Sequence, residues 1–560
     1  MSRRDGRDAG KLRRRSFVAA ATAVAGAAAL PRPAVARPVY PAAGGSDSVV
    51  VRTTAGRVAG ERTGGLAVFR GVPYAAPPVG GLRFASPRPC EPWRGVRDAT
   101  VFGPPALQTD YLPGSSEDCL YANVWTPDVN GRRPVLVYIH GGGWFLGAGS
   151  EPDYDGARLA AHGDMVVITF NYRLGLLGWG LHEAFTDTRT GSFANWGLQD
   201  QAALLRWAQR NAAAFGGDPA NITLAGTSAG GSSTWQLSLL PALRGVIRRA
   251  VPISAKHVWS PASSTSPAES RAVYELLARR LGTTVDGLRE VPATALKDAW
   301  EELFSGDPAG RPVQGWREYR GPVPDGRWMR GYDYALPTPG VPLMAVYCRT
   351  EGSFFTTGPG YPFPGPLPGT DAELREAVRA VLLKGAVKVS DAQVEDCIRV
   401  YRAAAAAEGR PQDPVSVWTE VWGDGLFRYQ ILRLAEKHAR RGRSPLYLME
   451  FAHPVRPPYS GTPHEATSKF LFGSYTRSVN APAYGDGPLE RTVSDTLIDL
   501  VASFARNGTP GSAHAPSWPV FSPGRPTTMI VGGPEVARIG EPGKTEQLRY
   551  WDDGAWVPRP

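Results

Sequence analysis

Cysteine is scarce. Four residues, Cys90, Cys119, Cys348 and Cys397, serve a chain of 560. None forms a Cys-x-x-Cys or Cys/His spacing, so no metal site and no redox dithiol is expected, and no other cofactor is called for. Outside the cell a disulfide would be permitted but not required, with Cys90 and Cys119 the candidate pair. Long apolar runs are missing too: residues 17–30 are apolar but Ala-rich, and shorter than the roughly 20 residues a bilayer span needs. No membrane span is therefore expected. Basic clusters interleaved with aromatics are absent as well, and Arg440-Arg441-Gly442-Arg443 reads as a solvated helix end. The net charge of +10 belongs mostly to one end: residues 1–36 hold eight Lys/Arg against two Asp, which leaves +4 for the rest. Nucleic acid is not an expected partner. Internal repeats and long linkers are also lacking, which argues against an array of small domains.

The N-terminus has the marks of an address. Lys11-Leu12-Arg13-Arg14-Arg15-Ser16-Phe17-Val18 is basic with a twin-arginine look, the Ala-rich run follows, and Ala34-Val35-Ala36 is an A-x-A cleavage site. Residues 1–36 are read as a cleaved export signal, 37–47 as a linker, and 48–560 as one domain. A secreted protein is expected. The number of subunits is not legible in the sequence.

The body alternates strand and helix. Met165–Phe170, Ile222–Ala225, Val246–Ser254 and Pro342–Cys348 are short buried strands, and Arg133–His140 is a longer apolar, β-branched one. Residues 197–215 read as a helix with apolar residues at Leu198, Ala202, Leu205, Trp207 and Ala208. This alternation predicts an α/β fold with a mainly parallel, doubly wound central sheet. Residues of about 256–340 and 355–440 mix amphipathic helices (Arg271–Leu281, Leu288–Phe304) with Pro/Gly-rich loops. They are expected as cap-like insertions over the functional edge.

One stretch organises the rest. Gly226-Thr227-Ser228-Ala229-Gly230 is G-x-S-x-G between a strand and a helix. A sharp strand-to-helix turn needs Gly on both sides, because a Cβ there would clash. That presents the Ser228 hydroxyl at the strand tip beside a helix N-terminus, the nucleophile elbow of an α/β-hydrolase. Upstream, His140-Gly141-Gly142-Gly143-Trp144 ends a strand, and three glycines let backbone N–H groups approach a developing oxyanion. Gly142, Gly143 and Ala229 are the expected donors.

A serine hydroxyl needs a base, and the base an orienting carboxylate; in this fold they follow the serine in the order acid, His. Five histidines follow Ser228: His257, His438, His453, His464 and His514. His438 reads as part of an exposed helix, and His257 and His514 lack a clear preceding strand. His464, in a loop before Phe470-Leu471-Phe472-Gly473, is preferred, with His453 its rival. For the acid, Glu351 follows the strand ending at Cys348; Asp325 and Asp333 are rivals without such a strand.

These motifs resemble the type-B carboxylesterases, the group that includes the cholinesterases. The likeness rests on Phe69–Gly80 with Leu82-Arg83-Phe84, Ser116–Trp125, the His140 loop, Asn171–Gly175, Asn195–Gln201, Phe215–Pro219, the elbow and Glu351–Phe355. His464 falls nine residues before the Gly of a Phe-x-Phe-Gly strand, as in that family. The resemblance implies a Ser228/Glu351/His464 triad, no cofactor, Ser254 close behind the triad, and a small-molecule ester as partner. Two departures bear on substrate. The family usually carries Glu before the nucleophile and an acid three residues after the His; Thr227 and Thr467 stand here. The Cys that usually pairs with the Cys119 position is missing around Ala106-Leu107, and that loop holds no Trp to receive a quaternary ammonium. A neutral ester is expected rather than a choline ester. The same triad would also serve amide, carbamate or lactone hydrolysis or acyl transfer, and the same fold also serves non-catalytic binding proteins.

Overall fold

The apolar runs become neighbouring strands. The computed structural model describes residues 39–40, 47–108, 111–260, 264–304, 321–357, 367–382 and 389–553, so the expected export signal and most of the linker lie outside the described residues. The strands are β1 (Val39–Tyr40), β2 (Ser48–Arg52), β3 (Arg57–Thr63), β4 (Leu66–Pro73), β5 (Arg94–Asp98), β6 (Tyr121–Thr126), β7 (Arg133–Ile139), β8 (Val166–Phe170), β9 (Gly217–Thr227), β10 (Ile247–Ile253), β11 (Leu343–Cys348), β12 (Leu446–Phe451), β13 (Thr528–Val531) and β14 (Ala537–Gly540). They form one sheet in the order β1-β5-β3-β4-β6-β8-β7-β9-β10-β11-β12-β13-β14, with β2 on β3. The run from β8 to β13 is parallel throughout. Antiparallel pairs confine themselves to the flanks, as at β4–β6, β6–β8 and β13–β14. The chain goes from β7 to β8 on one side and to β9 on the other, so the winding reverses at β7. Open parallel sheets place their functional groups at such a switch, beyond the strand C-termini.

Both faces of the parallel run are covered, which is why its strands read as unbroken apolar runs. Side chains alternate between two cores. Val135, Val137 and Ile139 pack with Ile222, Leu224 and the helix Trp196–Asn211. Leu136 and Tyr138 pack on the other face with Val167, Ala225 and the helices Ala466–Phe472 and Pro488–Asn507. A fully buried Val, Ile or Leu contributes about 1.5–3 kcal/mol, so these two layers hold the strand ends rigidly. A third core joins Leu343, Ala345, Leu446 and Leu448 to the helices Asp371–Leu382, Asp391–Ala407 and Pro414–Gly423. Those helices of the expected insertion thus pack on the side chains of β11 and β12.

Local differences from the sequence reading have local causes. The helix expected over Leu288–Phe304 is broken: a 3-10 turn covers Asp286–Arg289, and the helix proper is Ala293–Phe304, begun after Pro292. Phe470-Leu471-Phe472 is not a strand but the last turn of a helix, stopped by Gly473 at φ +74°. Cys90 and Cys119 are not bonded to each other, and all four cysteines are free. Among the described residues no helix is long and apolar enough to cross a membrane.

Two resemblance motifs prove to be buried ties. Arg83 grips Glu117 through two 2.6 Å bonds, and Arg173 grips Asp200 through two of 2.7 Å. Pairs this well satisfied fix loops whose removal from one partner would strand a buried charge.

Candidate active site

Ser228 stands between β9 and the helix Ala229–Leu239 at φ +60°, ψ −121°. Such a setting costs of order 1–3 kcal/mol and persists only where neighbours impose it. Here they do. A Cβ on Gly226 would meet the Gly230 carbonyl oxygen at 2.6 Å, one on Gly230 would run into that of Ile139, and one on Gly231 would meet that of Ile253 at 2.5 Å. The Ser228 N–H donates to Ile253 O at 2.9 Å and pins the turn to β10.

The glycine loop follows β7. His140 is fully buried, and burial pushes its imidazole down to about 4, so it is neutral at ordinary pH. Its Nδ1–H donates to Gly141 O at 2.9 Å, and Tyr172 OH donates to His140 O at 3.0 Å. Gly142 and Gly143 take φ of +97° and +60°. The Gly142 carbonyl accepts from the Phe145 and Leu146 N–H groups at 3.1 and 3.0 Å, which turns the loop back on itself. The N–H groups of Gly142, Gly143 and Ala229 donate to no protein group among the described residues. Unmated backbone donors are what an oxyanion needs.

Glu351 and His464 come from the ends of β11 and of the loop after β12. His464 Nδ1–H donates to Glu351 Oε2 at 2.5 Å, and Glu351 Oε1 accepts from the Cys348 N–H at 2.8 Å. Both side chains are essentially buried. A buried carboxylate without such donors would be costly; here both oxygens are used and the imidazole is held in one orientation. His464 Nε2 is buried and has no hydrogen-bond partner among the described residues. It lines, with Ser228, a cleft of about 90 Å³. The Ser228 hydroxyl makes no hydrogen bond to Nε2 or to any other described residue, and such contacts commonly close only around substrate. Gly142 lines the same cleft, as does Gly141; Gly143, Ala229 and Ser254 do not. Ser254 is buried at φ +46°, its hydroxyl 3.8 Å from the Cys348 thiol, which in turn lies 3.5 Å from the His464 carbonyl oxygen.

The rivals are engaged elsewhere. His453 faces Glu490 at 3.6 Å and accepts from the Gly533 N–H. Asp333 accepts from His257 Nδ1 at 3.0 Å, from the Val258 N–H and from Gln236, and Asp325 caps a turn over residues 327–329. His438 is buried rather than exposed: its ring contacts the Thr338 hydroxyl and the Ser444 carbonyl.

The cleft also holds residues the sequence reading passed over. Glu465, the residue after His464, and Glu151 both line it, with Phe354, Phe355 and Tyr111. A Cβ on Gly141 would stand 3.2 Å from the Ser228 Cβ and 3.4 Å from Glu465 Oε1, so that carboxylate flanks the nucleophile. Its other oxygen accepts from Ser468 at 2.9 Å. Burial pushes the Glu151 carboxyl up to about 7. The hydroxyls of Thr227 and Thr467 are spent on Tyr138 OH (2.6 Å) and the Cys348 thiol (3.2 Å). Adjacency to His464 was the available signal for Glu465; Glu151 had none.

A parallel sheet wound outward from β7, with a strained serine turn after β9 and a His–Glu pair at neighbouring strand ends, is the α/β-hydrolase fold. The sequence model of the carboxylesterase family matches residues 47–551, and the chain belongs to that family. It is 32% identical over 511 residues to the para-nitrobenzyl esterase of Bacillus subtilis, covering 86% of this chain and 94% of that protein. To the phenmedipham hydrolase of Pseudarthrobacter oxydans it is 34% identical over 528 residues, covering 87% and 96%. The solved carboxylesterase of Geobacillus stearothermophilus superposes with a TM-score of 0.73 at 31% identity, covering 90% of this chain and 99% of that one. The chain is a carboxylic ester hydrolase.

Proposed function

We propose that the protein is an exported serine carboxylesterase that hydrolyses neutral carboxylic esters through an acyl-enzyme on Ser228. One observation carries the mechanism: the free Nε2 of the Glu351-held His464 lines the same cleft as the Ser228 hydroxyl. His464 takes the Ser228 proton as Oγ attacks the ester carbonyl. The Gly142, Gly143 and Ala229 N–H groups receive the oxyanion. His464 then protonates the leaving alcohol, and water repeats the sequence on the acyl-enzyme. Glu351 orients the imidazole and stabilises its cation. Ser254 supports this pair from behind, through Cys348. Export rests on the twin-arginine-like leader and its A-x-A site.

The preference for neutral esters draws on the uncharged Thr227 and Thr467, and the carboxylate of Glu465 beside Ser228 sets the pocket against acidic ones. The test is hydrolysis of 4-nitrophenyl acetate and butyrate by the mature protein, beside Ser228→Ala and His464→Ala. Each variant is expected to lose at least ~10⁴-fold in kcat. Mass spectrometry after a fluorophosphonate should find the adduct on Ser228. A folded wild type inactive on every short ester, or an active His464→Ala, would overturn the assignment.

A further inference from the structure

A second cavity, of about 580 Å³, opens at the opposite edge of the sheet. Its wall is built from the last turn of the helix Ala229–Leu239, the turn at 240–245, the start of β10 and the segment 328–342. Ser228 and Glu351 follow the C-terminal ends of β9 and β11, whereas Ile247 and Pro342 in this wall stand at the N-terminal ends of β10 and β11. The seven residues of β10 put about 20 Å of sheet between the two edges, at roughly 3.3 Å per residue. The two cavities share no described residue.

The wall carries three arginines, Arg244, Arg248 and Arg330, and no Asp or Glu among the described residues. All three residues are exposed, and none has an ion pair or a side-chain hydrogen bond among the described residues. Elsewhere in the molecule arginine is commonly mated, as in Arg83–Glu117, Arg88–Asp187, Arg173–Asp200 and Arg428–Asp424. Positive charge is also crowded here: burial, and then the charge of Arg248, push the neighbouring Arg249 guanidinium down. Trp328 lines the same wall, and its indole N–H is buried without an acceptor among the described residues. Opposing an anion is the helix C-terminus, worth about half a negative charge; three full positive charges outweigh it. The volume falls within the range of small-molecule sites.

We propose that this cavity binds a small multivalent oxyanion, a di- or triphosphate or a polycarboxylate, gripped by Arg244, Arg248 and Arg330. The planar guanidinium fork suits paired oxygens, and three forks around one cavity suit a ligand with at least two anionic groups. This site is separate from the ester cleft and does not depend on the reaction proposed there.

The test is calorimetry and thermal melting of the mature protein at low ionic strength with pyrophosphate and citrate, orthophosphate serving as the single-centre comparison. Pyrophosphate or citrate should bind 1:1 and at least tenfold tighter than orthophosphate, weakening as NaCl is added. Arg248→Gln should weaken binding tenfold or more, with Arg248→Lys in between. The triple variant Arg244→Gln/Arg248→Gln/Arg330→Gln should abolish binding. In the absence of anion, its kcat/KM for 4-nitrophenyl butyrate should match wild type, which also reports that it is folded. No heat and no melting shift with either anion, equal affinity for orthophosphate, or binding that survives the triple variant would overturn the proposal.

Discussion

The two edges of the parallel sheet are built on opposite plans. At the catalytic edge the backbone is crowded and two serines, Ser228 and Ser254, sit at positive φ, while Glu351 and His464 are buried and hydrogen-bonded to each other. At the far edge no described non-glycine residue of the wall has a positive φ, and Arg244, Arg248 and Arg330 are exposed and unmated among the described residues. Bond-breaking needs groups fixed to within a fraction of an ångström, and that strain is sustained only where two packed cores clamp the strand ends. Capture of an ion needs charge and room, which surface side chains supply without strain.

Perturbing the clamped edge should therefore be far more damaging than perturbing charge alone. Glu351→Gln keeps the shape but replaces the acceptor that holds the His464 tautomer; kcat on 4-nitrophenyl butyrate should fall by about 10⁴ while the melting temperature changes little. Gly142→Ala puts a Cβ against the Leu146 carbonyl at φ +97°. It should cost about 10²–10³ in kcat, the scale of losing an oxyanion donor, with KM far less affected. Next comes a stability effect. The Glu151 carboxyl is raised from an ordinary 4.5 to about 7 by burial. The folded state therefore holds a proton that the unfolded chain has released, so stability falls as pH rises from about 4.5 to 7. Glu151→Gln should be the more stable protein at pH 8, by at most about 3 kcal/mol, and equal to wild type near pH 4; urea melts at both pH values read this directly. Smallest is the charge filter. Glu465→Gln should raise kcat/KM for an ester bearing a carboxylate about tenfold relative to 4-nitrophenyl butyrate. An unchanged ratio would remove Glu465 from substrate selection.

Much of the site was legible because its chemistry is written in backbone constraints. The glycines around Ser228 and after His140 are dictated by contacts within a few residues or with the adjacent strand, and such constraints leave a readable pattern. Strands β7, β8 and β9 were legible for a similar reason: burial on both faces demands continuous apolar residues. Less legible were features that depend on what the chain meets from afar. His438 looked exposed because Glu436, Arg440 and Arg441 surround it in sequence, yet its own face of the helix turns onto Thr338 and Ser444. Phe470–Phe472 looked like a strand because a three-residue apolar run has no period of its own, and Gly473 in the left-handed region marks it as a helix end.

By itself, the sequence determined the elbow, the glycine loop, the succession of strands and helices, and a short roster of histidines and carboxylates that could complete the site. Only the tertiary structure decided among them. His464 and Glu351 are 113 residues apart and meet at 2.5 Å, while Asp333 is spent on His257 and His453 faces Glu490. It also brought Glu465 and Glu151 beside Ser228, and set Arg330 on the same cavity wall as the distant Arg244 and Arg248. The reason is physical: periodicity and glycine placement report local backbone geometry, whereas a hydrogen bond or a shared cavity depends on distances in space that the packing of the whole sheet sets.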